Sequence, residues 1–356
     1  MKKRLAVLAL AGAMAVTSLT GCAGSELNDS EVAVTVNGDE VTADLANFYA
    51  RFTQAQYEAY YLAYYGEDMW GSTKDDTSYQ YSVKATTADA LADMYLMEDH
   101  MAEYGVELTD EDKAVIEKAT EDFTEVNSAE SLEKVSGSDA VVERLLTLLT
   151  IQVKMTNEIY KTADLEVSDE EAAQMKMSYV VFPFTETDDE GTTRNLTDEE
   201  MEALKKEAEE FAAGAKEAED FAAYATEAEE EALEATFDAE ETQTLPVELV
   251  EATAALKEGE TTAVVESDNG YYVARLVSEF DVDATETEKE NIRAERKSAK
   301  LDEVLAAWRE EADITVDEKV WKKIDFDAMS VSMEVDETEA YADEVVTDDV
   351  AEAQGN

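Results

Sequence analysis

The sequence predicts an α+β protein in which a small mixed unit is inserted into a helical region. Only 2 prolines and 13 glycines occur among 356 residues, which favours a chain dominated by helix. Two β-rich runs, Met177–Phe182 and Gly270–Val277, enclose segments with helical spacing. A long charged helix, predicted over residues 285–312, then returns to the helical type of the N-terminal region. Strands and helices that are segregated in this way indicate an α+β unit of about 100 residues.

This order of elements predicts six segments. They are a leader at 1–21, a tether at 22–31, a helical domain at 32–168, an α+β domain at 169–281, a C-terminal helix at 282–326 that packs on the helical domain, and an acidic tail at 327–356 that is expected to be disordered.

The N-terminus has the pattern of an export signal. Met1-Lys2-Lys3-Arg4 is a positive start, and the apolar run Leu5–Val16 is short for a bilayer span. The run ends in Leu19-Thr20-Gly21-Cys22, which resembles the lipobox of bacterial lipoproteins. The resemblance implies cleavage before Cys22, lipidation of its thiol, and a mature protein on the outer face of the cell membrane. Cys22 is the only cysteine, so no intramolecular disulfide can form.

The net charge of −59 limits the partners of the chain. This field repels nucleic acid, so nucleic-acid binding is excluded. It would favour basic polypeptides, although a role in solubility alone is also open.

Aromatic residues are concentrated near the start of the helical region. Val32–Val36 and the turn Asn37-Gly38 predict a hairpin, and a helix is expected to begin near Ala43. Its aromatic face could pack in the core or form a groove for a client. Tyr57–Tyr81 is interpreted as a loop that contacts partners or as an irregular lid over the helices.

The inserted unit is expected to contain a strand, two helices, a loop, a short helix and two strands. Residues 227–241 are acidic and of low complexity, and they are predicted to be mobile.

Four motifs occur in order along the inserted unit. They are Ser178-Tyr179-Val180-Val181, Glu219-Asp220-Phe221-Ala222-Ala223-Tyr224-Ala225, the segment from Leu245-Pro246 to Leu256-Lys257-Glu258-Gly259-Glu260, and Gly270-Tyr271-Tyr272-Val273. Together with the order of elements, they resemble the PrsA/SurA group of extracytoplasmic foldases, and the inserted unit is similar to the parvulin-type (PpiC) domain of that group. The resemblance covers most of residues 32–326. It implies that the helical region is a SurA-N-like chaperone domain and that the inserted unit has a prolyl-isomerase fold.

The chain departs from the family at the catalytic positions. The resemblance implies a pair of histidines on adjacent central strands, beside a proline pocket, and here both positions are tyrosine: Tyr179 and Tyr272. A Gly-Gly-x-Leu-Gly segment of the family is replaced by residues 236–240. By the same resemblance, the substrate-binding residues are predicted to be Phe182, Phe221, Leu249, Leu256 and Tyr271.

The function predicted from the resemblance is a membrane-anchored foldase or chaperone for unfolded or newly secreted polypeptides. Its isomerase activity is expected to be weak or lost, because a phenol cannot replace an imidazole pair as a tunable network. Two alternatives are an active isomerase that uses the tyrosines and a non-catalytic surface or solute-binding lipoprotein.

Other chemistry is not predicted. A hydrolase is not expected, because the chain has one histidine and lacks Gly-x-Ser-x-Gly and His-Glu-x-x-His. No metal or cofactor is expected, and a homodimer is left open.

Overall fold

A computed structural model describes residues 13–18, 27–66, 69–70, 78–187, 191–238 and 244–334. The chain divides into two compact units: the first comprises Met1–Ala163 and Ala299–Asn356, and the second comprises Asp164–Ser298. The predicted lipidation site Cys22, the residues that precede 13, and the tail beyond 334 lie outside the described residues.

The first unit begins with strands and continues as helices. In chain order these are β1 (Ala13–Ser18), β2 (Val32–Val36), β3 (Asp39–Thr42), α1 (Ala43–Tyr65), α2 (Tyr79–Asp99), α3 (Asp110–Val126), α4 (Ala129–Val135) and α5 (Asp139–Tyr160).

The second unit alternates strands and helices. Its elements are β4 (Met175–Pro183), β5 (Thr185–Thr187), β6 (Thr193–Asn195), α6 (Asp198–Glu217), α7 (Phe221–Glu227), β7 (Leu233–Phe237), α8 (Val247–Ala254), β8 (Val265–Ser267) and β9 (Gly270–Ser278).

Helix α9 (Val282–Glu311) then leads back to the first unit. The remaining elements are β10 (Ile314–Val316), α10 (Glu318–Trp321), a short 3-10 helix (Phe326–Ala328) and β11 (Met329–Glu334). Among the described residues, no helix is long and apolar enough to cross a membrane.

The core of the first unit joins distant parts of the chain. Helix α5 is buried along much of its length, from Val141 to Ile159, because its apolar residues cover more than one helix face. The short strand β10 pairs antiparallel with β2, with Ile314 opposite Val36, and the indole of Trp321 donates to the carbonyl of Ala33. Residues after 299 therefore complete a core to which Ala33, Val34 and Val36 also belong.

Polar side chains fix the helix ends of both units. Thr109 and Asp112 form a capping box at the start of α3, and Thr197 and Glu200 form another at the start of α6. These reciprocal hydrogen bonds satisfy backbone amides that the helix itself leaves without a partner.

The Tyr-rich segment is helical in most of its described part, so the loop prediction is wrong there. Tyr57, Tyr61 and Tyr65 follow one another at four-residue spacing on α1, with neighbouring ring centroids 5.8 and 6.1 Å apart. Trp70 is buried against Phe326 and stacks on Tyr79. Four-residue spacing places rings on one helix face, and that period outweighs the modest helix propensity of tyrosine.

Two further predictions are corrected by strands. Residues 233–237, predicted to be mobile, form β7, which pairs with β4 from Met175 to Tyr179. Residues 329–334, predicted to belong to a disordered tail, form β11. Both segments place apolar residues at alternate positions, as in Leu233-Glu234-Ala235 and Met329-Ser330-Val331, and a period of two is typical of a strand.

Candidate functional site

The sheet of the second unit has four antiparallel strands in the order β7-β4-β9-β8, so that β4 and β9 are central. Alternate residues of these strands point to opposite faces. On one face, Val180, Phe182, Tyr271 and Val273 pack against α6 and α7. On the other face, Met177, Tyr272, Ala274 and Leu276 pack against α8 and Phe237.

Tyr179 and Tyr272 lie together on the face of α8. Tyr179 is opposite Ala274 in the ladder and Tyr272 is opposite Val181, so the two tyrosines are diagonal neighbours on adjacent central strands. Their ring centroids are 6.3 Å apart with an interplanar angle of 35°. Tyr272 is 5% exposed, whereas Tyr179 is half-buried. The sequence predicts this placement, and the structure has it.

The turn between β8 and β9 holds the hydroxyl of Tyr272. Ser267 pairs with Gly270 across the turn, and the Tyr272 hydroxyl donates to Asn269 Oδ1 at 2.9 Å. The carbonyl of Asn269 also accepts from the amide of Phe184, so the turn is tied to the end of β4. These bonds fix the direction of the Tyr272 phenol.

Gly270 allows β9 to approach β4 at this point. A Cβ atom on residue 270 would lie 2.6 Å from the carbonyl oxygen of Phe182 and 3.2 Å from Cα of Pro183. Because both neighbours are backbone atoms, only glycine fits without a shift of the strand.

A cleft of about 350 Å³ opens above the two rings. It lies between β4, β7, the start of α8 and the β8–β9 turn. The lining residues are Tyr179, Val181, Leu233, Thr244, Leu245, Pro246, Ser267, Asp268, Asn269 and Tyr272. The volume is at the lower end of the range for small-ligand sites. A mixed wall of aromatic, aliphatic and turn residues suits a short peptide segment with an apolar side chain.

Burial raises the pKa of the Tyr272 phenol, and nearby Tyr179 raises it further. At neutral pH the phenol is therefore uncharged. It can orient a carbonyl or an amide by hydrogen bonding, but it does not supply a charge or change protonation near pH 7.

The five residues predicted to bind substrate divide between the two faces of the sheet. Phe182, Phe221 and Tyr271 are buried on the face opposite the two tyrosines, in contact with α6 and α7. Leu249 and Leu256 belong to the cluster that contains Tyr179 and Tyr272, and Leu249 is fully buried there. The grouping of Phe182, Phe221 and Tyr271 with the two tyrosines is therefore wrong, and for the strand residues the reason is the period of two, since residues 271 and 272 must point to opposite faces.

Other residues of the cleft were not singled out as site residues in the sequence. Asn269 is recognisable there only as part of a turn, and its bond to the Tyr272 hydroxyl depends on how the hairpin closes. Leu233 begins β7, which was not predicted as a strand because it lies in an acidic stretch of the sequence. A local signal exists for Asn269, which precedes Tyr272 by three residues, but none identifies Leu233.

Residues 176–282 match the family model described as "PPIC-type PPIASE domain". The second unit is of the PpiC type. This match confirms the PpiC-type resemblance expected for the inserted unit and the α+β fold class expected for it.

Solved structures with similarity to the chain include PrsA proteins from three bacteria. "Peptidylprolyl Isomerase (PrsA)" from Bacillus cereus is 19% identical, with 83% of this chain and 98% of that chain covered and a TM-score of 0.28. "Foldase protein PrsA" from Streptococcus pneumoniae is 17% identical, with 72% and 98% covered and a TM-score of 0.28. PrsA from Bacillus subtilis is 19% identical, with 72% and 98% covered and a TM-score of 0.21. No curated protein matches the chain. The assignment of the second unit rests on the match over residues 176–282.

Proposed function

We propose that this protein is an extracytoplasmic foldase that binds unfolded segments of newly exported proteins, and that its PpiC-type cleft holds peptide with little or no isomerase turnover. The observation that supports this most directly is the pair Tyr179 and Tyr272 at the positions that the resemblance assigns to histidines. The cleft has a volume and a mixed lining suited to a short peptide, and its two central side chains are phenols, of which that of Tyr272 is uncharged at neutral pH.

Loss of turnover follows from the chemistry of the reaction. Rotation about a peptide bond has a barrier of about 18–20 kcal/mol, and a catalyst must stabilise the twisted imide more than the planar one. The Tyr272 hydroxyl already donates a hydrogen bond to Asn269, so its hydrogen points towards the β8–β9 turn. A fixed neutral donor of this kind gives a binding site more readily than a catalytic network.

A second surface supports binding of unfolded chains. On the C-terminal half of α1, Tyr60 and Tyr64 are 77% and 86% exposed, and Tyr61 and Tyr65 are 43% and 66% exposed. Exposed aromatic side chains offer apolar area and a polar tip at low entropic cost, so they suit partners of varied sequence. We include this row of tyrosines in the client-binding surface.

The lipobox-like run ending at Cys22 supports a lipid anchor on the outer face of the cell membrane. Expression of the Cys22→Ser variant in a bacterial host tests the anchor. The wild-type chain should stay with membranes and the variant should be released, and equal retention of both would contradict the anchor.

Two assays on the purified protein test the main proposal. Suppression of aggregation of a denatured client should be clear at stoichiometric protein, while isomerisation of short Xaa-Pro peptides should be near the uncatalysed rate. Robust isomerase activity would instead support the alternative in which the tyrosines catalyse. No effect in either assay would leave the foldase proposal without support.

A matched pair of variants tests the role of the cleft. Tyr179→Ala should weaken binding of a fluorescent proline-containing peptide about tenfold, since loss of one half-buried ring costs about 1–2 kcal/mol. Tyr179→Phe keeps the ring and should bind within about twofold of the wild type. A large loss in the phenylalanine variant would show that the hydroxyl, rather than the ring, determines binding.

A further inference from the structure

The strand β1 is held on both of its edges within the first unit. It pairs antiparallel with β11 over six residue pairs, from Ala13 opposite Glu334 to Ser18 opposite Met329. On its other edge, the amide of Met14 donates to Asn127 Oδ1 at 2.6 Å. A hexapeptide in extended conformation therefore lies in a slot between β11 and Asn127.

The hydrogen bonds of β11 show which of its edges faces the slot. The amide of Val331 donates to Glu58 at 3.1 Å, and the carbonyl of Met329 accepts from Gln54 at 2.7 Å. In a strand, the amide and carbonyl of one residue point to one edge and those of the next residue point to the other. The backbone amides and carbonyls of Ser330 and Ser332 therefore face β1. Opposite them lie the backbone amides and carbonyls of Thr17 and Ala15, respectively.

The slot also has an apolar floor. Met14 is 3% exposed and Val16 packs on the same core, and these are alternate residues on one side of β1. Val331 of the neighbouring strand is fully buried. Residues 13–18 have no charge, so the occupant of the slot is extended, uncharged and apolar at every second position.

We propose that this slot is a docking site for an extended apolar segment of a client polypeptide, and that residues 13–18 occupy it only until the leader is removed. The predicted cleavage before Cys22 separates β1 from the rest of the chain. Strand β11 then becomes an open edge that faces the slot, and open edges of this kind bind a further strand through main-chain hydrogen bonds. That the occupant is a client rests on the proposed function, whereas the slot itself rests on the contacts of β1.

The contacts define the ligand class. It is a stretch of about six residues in β conformation, with apolar side chains at two alternate positions, no charge, and no proline where its amide must face β11. Main-chain pairing is independent of side-chain identity, so many sequences satisfy it. A newly exported chain that has not yet folded presents such segments.

Binding of a peptide to the full chain tests the slot. The double variant Met14→Asp/Val16→Asp should expel β1, because a carboxylate on the apolar floor is costly to bury. The probe is a fluorescein-labelled peptide with the sequence of residues 11–20, followed by anisotropy. It should bind this variant with saturation and bind the wild-type chain at least tenfold more weakly. Equal binding to both chains, or no saturable binding to a variant with intact helical circular dichroism, would overturn the proposal.

Two matched pairs test the main-chain pairing. A probe N-methylated at Ala15 loses the amide that faces β11 and should bind at least tenfold more weakly. N-methylation at Val16, whose amide faces away from β11, should have a smaller effect. In the Met14→Asp/Val16→Asp variant, a further Ser332→Pro substitution should abolish peptide binding, and Ser332→Ala should preserve it, because only proline removes the backbone donor. If each pair behaves identically, the peptide does not pair with β11.

The milder double variant Met14→Ser/Val16→Ser replaces the aspartate variant if the latter does not fold, with the same expected results. Light scattering measures whether the variant forms a dimer, in which β1 of a second copy would occupy the slot instead of a client. A dimer that forms through exchange of β1 and excludes the peptide would overturn the assignment to a client. If the peptide fails to bind but aggregation of a client is still suppressed, the slot is refuted and the proposed function stands.

Discussion

Tyr272 shows how one residue links burial, hydrogen bonding and protonation in the cleft. It is 5% exposed, and its hydroxyl has Asn269 as partner. Burial raises its pKa above the ordinary value of a phenol. The neutral hydroxyl contributes stability that is fully present below the pKa of the unfolded chain, near 10. That contribution is lost as the pH rises through the higher pKa of the folded protein.

The variant Tyr272→Phe should reveal this linkage. At pH 7 it should lower the free energy of unfolding by about 1 kcal/mol, because Asn269 loses a hydrogen-bond donor. Above about pH 10 the deficit should shrink, because the variant lacks a buried phenol to ionise. Urea denaturation across this pH range measures the difference. Tyr60→Phe, at an exposed tyrosine of α1, is the control and should show no such trend. If the loss of unfolding free energy in Tyr272→Phe grew with pH, the raised pKa of the buried Tyr272 phenol would be contradicted.

At the scale of the element, the closeness of β4 and β9 depends on one glycine. Gly270→Ala should destabilise the second unit by about 1–3 kcal/mol, since its Cβ would overlap the backbone of Phe182. It should also weaken peptide binding, because the turn that holds Tyr272 must shift. Thermal denaturation and peptide binding measure the two effects. Ser267→Ala, in the neighbouring strand β8, is the control, and equal effects of both substitutions would contradict the steric argument.

Helix α1 supports β11 through a buried carboxylate. Glu58 accepts hydrogen bonds from the Trp70 indole, the Ser330 hydroxyl and the Val331 amide at 2.8, 2.5 and 3.1 Å. Glu58→Ala would leave these buried donors without their acceptor and should cost about 3 kcal/mol in free energy of unfolding. Chemical denaturation measures it. Glu117→Ala, at an exposed position of α3, should change stability by less than about 0.5 kcal/mol. A Glu58 variant as stable as that control would refute the supporting role.

The accuracy of the sequence-based predictions also differs by element. The central strands of the second unit follow from local apolar patterns, which is why their positions could be predicted. The strands β7 and β11 were missed because their apolar alternation is short, lies in an acidic stretch of the sequence and is completed by a partner distant in sequence. Within the site, the facing of Tyr179 and Tyr272 follows from strand period, while the contribution of Leu233 and Asn269 depends on tertiary closure.

At the scale of the whole molecule, the net charge of −59 would act on every client that approaches the proposed foldase. Like charges repel within the folded chain, and salt screens that repulsion. Raising NaCl from about 0.05 to about 0.5 M should therefore raise the melting temperature by a few degrees. Suppression of aggregation should be stronger for a basic client than for an acidic one, and that preference should fade in salt. A salt-independent preference would indicate that apolar contacts alone select the client.

The pairing of β10 with β2 sets an order of events during synthesis of the chain. Residues 33–36 can pair only after residues 314–321 have been synthesised. The second unit, in contrast, is one continuous stretch of chain and is complete once residue 298 has been synthesised. Contacts so far apart along the chain form slowly, and surface that awaits its partner is prone to aggregate. The proposed foldase would thus itself emerge with its first unit unfinished, and it would gain from folded copies already present.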